Sequence, residues 1–120
     1  MKNGVLDLRP EHQRLVLDIL AANLPPAARV WGFGSRATGR ARRFSDLDLA
    51  VDAKRRLTLD ETAALAEAFD DSDLPYAVDI VDWCAPMGDR FRQAIADQRI
   101  LLVDHPPSAA VAGADAAPKL

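Results

Sequence analysis

The chain lacks several features that would place it in common functional classes. It has one cysteine, Cys84, so no intramolecular disulfide can form and a reducing compartment is expected. No apolar run approaches the ~20 residues of a membrane span, and the first 20 residues carry too many charges for a secretory signal. The only histidines, His12 and His105, are too far apart in sequence to suggest a zinc site or a histidine base. We therefore expect a cytoplasmic protein.

The charge balance argues against general nucleic-acid binding. Lys and Arg number 15 against 18 Asp and Glu, and the net charge is −3, whereas a general nucleic-acid binder would be basic. Hydrophobic residues make up 49% of the chain and charged residues 28%, as in an ordinary globular domain. At 120 residues the chain can form one core, but it has little room for a separate acceptor-binding domain.

Two aspartates form the most informative motif in the sequence. Asp46 and Asp48 are separated by one residue, so on an extended strand they project from the same face, with Cα atoms roughly 6.6 Å apart. Neighbouring carboxylates repel each other unless a positive charge lies between them. Mg²⁺ is typically held by one or two carboxylates together with substrate phosphates. The pair therefore predicts a site for a divalent cation.

A glycine turn precedes this pair and could bind phosphate. An apolar run ends at Gly34 and Ser35, where a turn into a helix leaves backbone N–H groups free to face a phosphate. Gly34 allows a ligand to approach the backbone closely, and Ser35 adds a hydroxyl. Because a guanidinium matches phosphate oxygens, we expect Arg36 to contact a triphosphate. Arg42 and Arg43 are equally compatible with a solvated loop.

Apolar periodicity predicts alternating helices and strands. Thr58 and Glu61 have the spacing of a capping box at the start of one helix. These elements predict a mixed α/β arrangement in which helices pack on one mixed sheet, although propensity alone also allows a doubly wound α/β fold. We assign this domain to residues 1–104 and expect the Pro- and Ala-rich residues 105–120 to be disordered. The predicted helices cover 10–23, 36–41, 58–69 and 86–98, and the predicted strands cover 28–33, 46–52, 76–83 and 99–104.

The third predicted strand contains two aspartates, of which only one can join the first pair. Alternation places Asp79 and Asp82 on opposite faces of that strand. Asp79 lies in the middle of an apolar run, where an unpaired buried carboxylate would cost several kcal/mol unless a metal offset that cost. Asp82 lies near the strand end, where water can reach it. We favour Asp79 as the third carboxylate.

These motifs together resemble those of a known family. One pattern resembles the signature of polymerase-β-type nucleotidyltransferases. It consists of Gly34 and Ser35, ten intervening residues and then Asp46-Leu47-Asp48. The segments 36–39 and 45–49 resemble the minimal nucleotidyltransferases, small bacterial proteins encoded beside HEPN-domain partners. The resemblance spans about residues 15–103. It implies an α+β fold with a polymerase β-like core, a mixed sheet whose flanking helices lie largely on one face, and Asp79 as the third carboxylate.

The resemblance also implies a reaction and a partner. The reaction would transfer AMP from ATP to a hydroxyl and release pyrophosphate, with two Mg²⁺ ions held by Asp46, Asp48 and Asp79. The acceptor would be a tyrosine of an all-helical HEPN-domain toxin, so this chain would be an antitoxin and could form a hetero-oligomer. Two alternatives remain open, namely transfer to a small molecule or RNA end with a partner subunit, and a non-catalytic module that binds the toxin. The sequence does not identify the nucleotide, the acceptor residue or the number of AMP units.

Overall fold

A computed structural model of the chain describes residues 5–104, which alternate between helices and strands. Residues 105–120, which we expected to be disordered, lie outside the described residues. The helices are α1 (Pro10–Asn23), α2 (Ser35–Thr38), α3 (Leu59–Asp70) and α4 (Asp89–Gln98). The strands are β1 (Arg29–Phe33), β2 (Leu47–Asp52), β3 (Val78–Asp82) and β4 (Ile100–Asp104). Among these described helices, none is long and apolar enough to cross a membrane.

The four strands form one mixed sheet in the order β3-β2-β1-β4. Strand β1 is antiparallel to both β2 and β4, whereas β2 and β3 are parallel. Strands β1 and β2 are therefore central, and β3 and β4 are the edges. This mixed sheet with packed helices confirms the predicted α+β class.

The two faces of the sheet bury different sets of side chains. On one face, α1 and α3 pack against the fully buried β2 residues Leu47, Leu49 and Val51. On the other face, Ile95 of α4 packs with Trp31 and with other side chains of β1 and β2. The predicted alternation along β2 is thus confirmed, because its apolar and acidic side chains project from opposite faces. The acidic positions of β2 project toward the face that carries α4.

Local sequence signals explain most of the element boundaries. The Oγ1 atom of Thr58 accepts the amide of Glu61 at 3.0 Å, and a Glu61 carboxylate oxygen accepts the amide of Thr58 at 2.9 Å, which confirms the capping box. Helix α2 is shorter than predicted because Gly39 adopts a left-handed conformation with φ +78° and ends it at Thr38. Helix α4 begins at Asp89, three residues after the predicted start at Pro86.

Candidate active site

Strand pairing brings Asp48 and Asp79 side by side. In the parallel pair β2–β3, Asp48 lies opposite Asp79, and in the antiparallel pair β1–β2 it lies opposite Phe33. Residues directly opposite each other on neighbouring strands project to the same face of the sheet. Asp48 and Asp79 therefore share the face that carries α4, as the predicted alternation requires.

The surroundings of Asp48 disfavour its negative charge. The side chain is half-buried, and desolvation is the largest cause that raises the pKa of its carboxyl above the ordinary value. The negative charges of Asp79 and of Asp46 raise this pKa further. Asp46 itself is exposed and directly precedes β2. The three predicted carboxylates thus lie close enough to interact electrostatically, with Asp48 as the central member.

Asp79 and Asp82 lie on opposite faces of β3, as the alternation predicted, but Asp79 is the more exposed of the two, whereas we expected Asp82 to be. Asp82 accepts the backbone amide of Leu57 at 2.8 Å and that of Cys84 at 3.0 Å, so both its carboxylate oxygens are engaged in holding loops. Asp79 is exposed rather than buried in an apolar run, because β3 is an edge strand of the sheet. The argument that Asp79 would be a costly buried charge is therefore wrong. The strand register places it beside Asp48 all the same.

Gly34 packs its backbone against the carboxylate of Asp48. Its φ of +75° with ψ −152° is a conformation that L side chains rarely adopt, and a Cβ atom added there would overlap Oδ2 of Asp48. Its amide donates to Oε1 of Gln98 at 3.0 Å, which ties the turn to the end of α4. Ser35, the next residue, is the first residue of α2. Sequence reasoning missed Gln98, because the contact joins residues 64 positions apart and no local motif marks it.

The Arg36 guanidinium packs against Tyr76, in the core on the face of α1 and α3, and not beside Asp48 and Asp79, where we expected it to contact a triphosphate. The residue is only 6% exposed, and its guanidinium donates to the backbone carbonyls of Ser45 (3.0 Å), Asp7 (2.8 Å) and Arg43 (3.2 Å). Its Cζ atom also lies 3.9 Å from the centroid of the Tyr76 ring. These contacts join the N-terminal segment, the loop before β2 and the approach to β3. We therefore leave Arg36 out of the site formed by Asp48, Asp79 and Gly34.

The donor set suits Mg²⁺, but the side chains are not gathered around a common point. Carboxylate oxygens are the ligands that this hard cation prefers. A cation would also remove the repulsion that raises the pKa of Asp48. Within residues 5–104, however, no three His, Cys, Asp or Glu side chains are arranged closely enough to hold a metal ion. Carboxylate rotamers can adjust, whereas the strand ladder fixes the register that holds Asp48 beside Asp79.

Comparisons with known proteins show a family match and similar solved structures. Residues 16–107 match the family model described as "Polymerase beta, Nucleotidyltransferase". The chain is 43% identical over 90 residues to a probable protein adenylyltransferase MntA of Haemophilus influenzae, a match that covers 75% of this chain and 77% of that protein. A crystal structure of a toxin–antitoxin with AMP-PNP has a TM-score of 0.65 and 28% identity, covering 78% of this chain and 74% of the other. A putative minimal nucleotidyltransferase has a TM-score of 0.55 and 34% identity, covering 75% and 88%.

Proposed function

The chain belongs to the polymerase beta nucleotidyltransferase family, and from that premise we propose that it transfers AMP from ATP to a hydroxyl of a partner protein. The partner would be an all-helical HEPN-domain toxin and the acceptor one of its tyrosines. Support for protein adenylylation comes from the name of the Haemophilus influenzae relative, and support for a toxin partner from the solved toxin–antitoxin with AMP-PNP. We assign the activity to residues 1–104 and place it in the cytoplasm.

One structural observation carries this proposal. Asp48 lies opposite Asp79 in a parallel strand pair, and the backbone of Gly34 packs directly against the Asp48 carboxylate. A turn that approaches a carboxylate this closely can place a phosphate and a divalent cation side by side. The same turn begins α2, where the amides of Ala37 and Thr38 already donate to the carbonyl of Gly34. The amides of Ser35 and Arg36 are therefore the ones that can donate to phosphate oxygens.

We assign the following roles to the residues of the site. Asp46, Asp48 and Asp79 would hold Mg²⁺, which when bound neutralises phosphate charge and lowers the pKa of the attacking hydroxyl. Gly34 and Ser35 orient the phosphates of ATP. The acceptor oxygen forms a bond to the α-phosphorus, the bond from that phosphorus to the bridging oxygen of the β-phosphate breaks, and pyrophosphate leaves. The acceptor proton passes to a carboxylate oxygen of Asp79, which is exposed at the sheet edge.

We propose that the acceptor is supplied by another molecule. Residues 5–104 form one sheet with its packed helices, and the carboxylates lie at the exposed start of β2 and on the edge strand β3. A hydroxyl on a partner protein can approach from that edge. In this proposal the carboxylates and the phosphate-binding turn belong to this chain, and the acceptor belongs to its partner.

The proposal is tested by incubating the protein with labelled ATP, Mg²⁺ and the all-helical product of a neighbouring gene. We expect label on the partner and a mass increase of one or more AMP units on a tyrosine peptide. The Asp46→Asn, Asp48→Asn double variant should bind the partner but transfer nothing, because the substitutions remove ligand charge and preserve shape. Asp60→Asn, an exposed aspartate of α3, is the matched control and should transfer normally.

The outcome also separates the two alternatives. Label that appears on a small molecule or an RNA end, with none on protein, would place the chain among nucleotidyltransferases with a different acceptor. A growth assay of cells that express the toxin tests the second alternative. If the double variant protects these cells from the toxin as well as wild type does, and the partner's mass never changes, then the chain neutralises the toxin as a non-catalytic binding module.

A further inference from the structure

A cavity of about 360 Å³ lies away from the carboxylates. It is enclosed by the segment before α1, the start of α1, the loop before β2 and the segment before β3. Its volume falls within the ~300–1,000 Å³ of small-molecule sites. We call it the basic cavity and define it by six of its lining residues, namely Arg9, Arg36, Arg42, Arg43, Phe44 and Tyr76.

The buried charge of Arg36 has no acidic partner. Its guanidinium uses three N–H groups on backbone carbonyls, and since a guanidinium has five, two remain. Among the described residues, no carboxylate oxygen lies within 4.0 Å of it. Buried charges in proteins are ordinarily paired, because desolvation without a counter-charge is costly. The carbonyls and the ring of Tyr76 offset part of this cost, but an anion in the cavity would neutralise the charge.

The other arginines of the cavity add to this excess of positive charge. Arg42 and Arg43 are exposed and form no ion pair with any described residue, whereas Arg9 pairs with Glu11 at 2.9 Å. Asp7 is the one acidic residue among those that line the cavity. These arginines concentrate positive charge at one place in a chain whose net charge is −3. The local field therefore attracts anions.

Aromatic surface lies beside the arginines. Phe44 is 63% exposed, although a large apolar side chain usually lies in a core, and the Arg43 guanidinium lies 5.4 Å from its ring centroid. Tyr76 forms another part of the wall and is itself buried. Guanidinium groups beside exposed aromatic rings suit a ligand that joins phosphate to a planar base.

The basic cavity is separate from the proposed transfer site. Tyr76 belongs to the core between the sheet and helices α1 and α3, whereas Asp48 and Asp79 project to the face that carries α4. None of the three carboxylates, and neither Gly34 nor Ser35, lines the cavity. A ligand there would be held by arginines alone, without a divalent cation.

We propose that the basic cavity binds the phosphate groups of a second nucleotide independently of metal, with the base against Phe44. Arg36 and the two loop arginines hold the phosphate oxygens, and Arg36 gains the counter-charge that it lacks. The loop that contributes Arg42, Arg43 and Phe44 leads directly into Asp46. Occupancy of the cavity would therefore act on the segment that enters the transfer site.

Binding of ATP and of pyrophosphate to the full chain in EDTA, measured by calorimetry, tests this proposal. We expect both to bind without metal, and the Arg42→Gln, Arg43→Gln double variant to weaken each by at least tenfold. Both arginines are exposed, so their replacement should leave the fold intact. Arg40→Gln, in the same loop but not part of the cavity wall, is the matched control and should change affinity less than twofold.

The two probes separate a nucleotide from bare phosphate. If the base stacks on Phe44, ATP should bind several-fold more tightly than pyrophosphate, and Phe44→Ala should remove that difference. Equal binding of the two probes would overturn the assignment to a nucleotide. The absence of any binding in EDTA, or an equal loss in the Arg40→Gln control, would overturn the site itself. Because no step of this test measures AMP transfer, its failure is distinct from failure of the proposed function.

Discussion

Replacing Gly34 with alanine tests whether the turn must approach Asp48 as closely as the structure shows. Gly34 has φ +75° and ψ −152°, a region that only glycine enters readily, and holding another residue there costs about 1–3 kcal/mol. Alanine recovers about 0.4–1 kcal/mol through lower entropy of the unfolded chain. The added Cβ also overlaps Oδ2 of Asp48, so that side chain or the turn must shift. We expect a net loss of about 2 kcal/mol in the free energy of unfolding.

The same chain contains a control that separates strain from displacement of the site. Gly39 has a similar φ of +78°, but no atom lies within 4 Å of the position that its Cβ would take. Gly39→Ala should therefore cost only the left-handed backbone penalty of about 1–2 kcal/mol, less the same entropic gain. It should leave AMP transfer unchanged at a temperature where the protein remains folded.

Thermal unfolding followed by circular dichroism, together with transfer of labelled AMP, measures both effects. A loss of 1 kcal/mol lowers Tm by about 4–8 °C in a domain of roughly this size. Gly34→Ala should reduce transfer by about 100-fold or more, since a misplacement near 1 Å can have that effect. If Gly34→Ala transfers AMP at the wild-type rate, then the close approach of the Gly34 backbone to Asp48 is unnecessary for transfer. If Gly39→Ala loses as much activity, then the effect is one of global stability.

Three further predictions concern the acidic residues. Asp79→Asn should lower the rate of AMP transfer by orders of magnitude with little change in Tm. Asp82→Asn should lower Tm, because Asp82 accepts two backbone amides, and should leave the rate near wild type. Equal rate losses in the two variants would contradict the roles assigned here. The pKa of Asp48 is raised in the folded protein, so the stability that its protonated form contributes is lost as pH rises through that pKa. Asp48→Asn should therefore raise Tm at pH 7 in EDTA. An unchanged or lower Tm would refute this prediction. The pKa of Glu61 is lowered to about 2 from 4.5, chiefly by its hydrogen bonds to Arg55, so its contribution to stability is present above pH 4.5 and is lost as pH falls toward 2. Glu61→Gln should flatten the dependence of Tm on pH in that window. An unaltered slope would count against this prediction.

Local signals in the sequence were sufficient to predict most of the fold. Helix α1 runs from Pro10 to Asn23, the bounds that its apolar spacing and Pro10 indicate. The capping box of Thr58 and Glu61 marks the start of α3, and the period-2 pattern identifies β2 and β3. These features depend on residues within a few positions of one another, so a single sequence reveals them. Alternation also predicted that Asp79 and Asp82 lie on opposite faces, and the pairing of β2 with β3 places Asp79 on the face of Asp48.

Features that depend on distant residues could not be predicted in this way. The phosphate contact expected for Arg36 rested on its position after a glycine turn, but Asp7 and Tyr76 supply partners 29 and 40 positions away in the chain. Asp79 was expected to be buried because its neighbours are apolar, and only the strand order shows that β3 is an edge. The bond from Gly34 to Gln98 likewise requires the tertiary structure. The environments of these side chains depend on tertiary contacts that no local pattern reveals.

Strand β2 shows how the fold can maintain a site that is itself unfavourable. Neighbouring unit charges repel by up to about 4 kcal/mol at an effective dielectric constant of 20, so a carboxylate pair in the absence of a cation opposes folding. Leu47, Leu49 and Val51 are fully buried on the opposite face, and each such side chain contributes roughly 1.5–3 kcal/mol. Their combined contribution to stability exceeds this repulsion. Alternation lets one strand present both sets of side chains. Stability and chemistry therefore lie on opposite faces of β2, and substitutions on the apolar face should affect Tm first while those on the acidic face affect transfer.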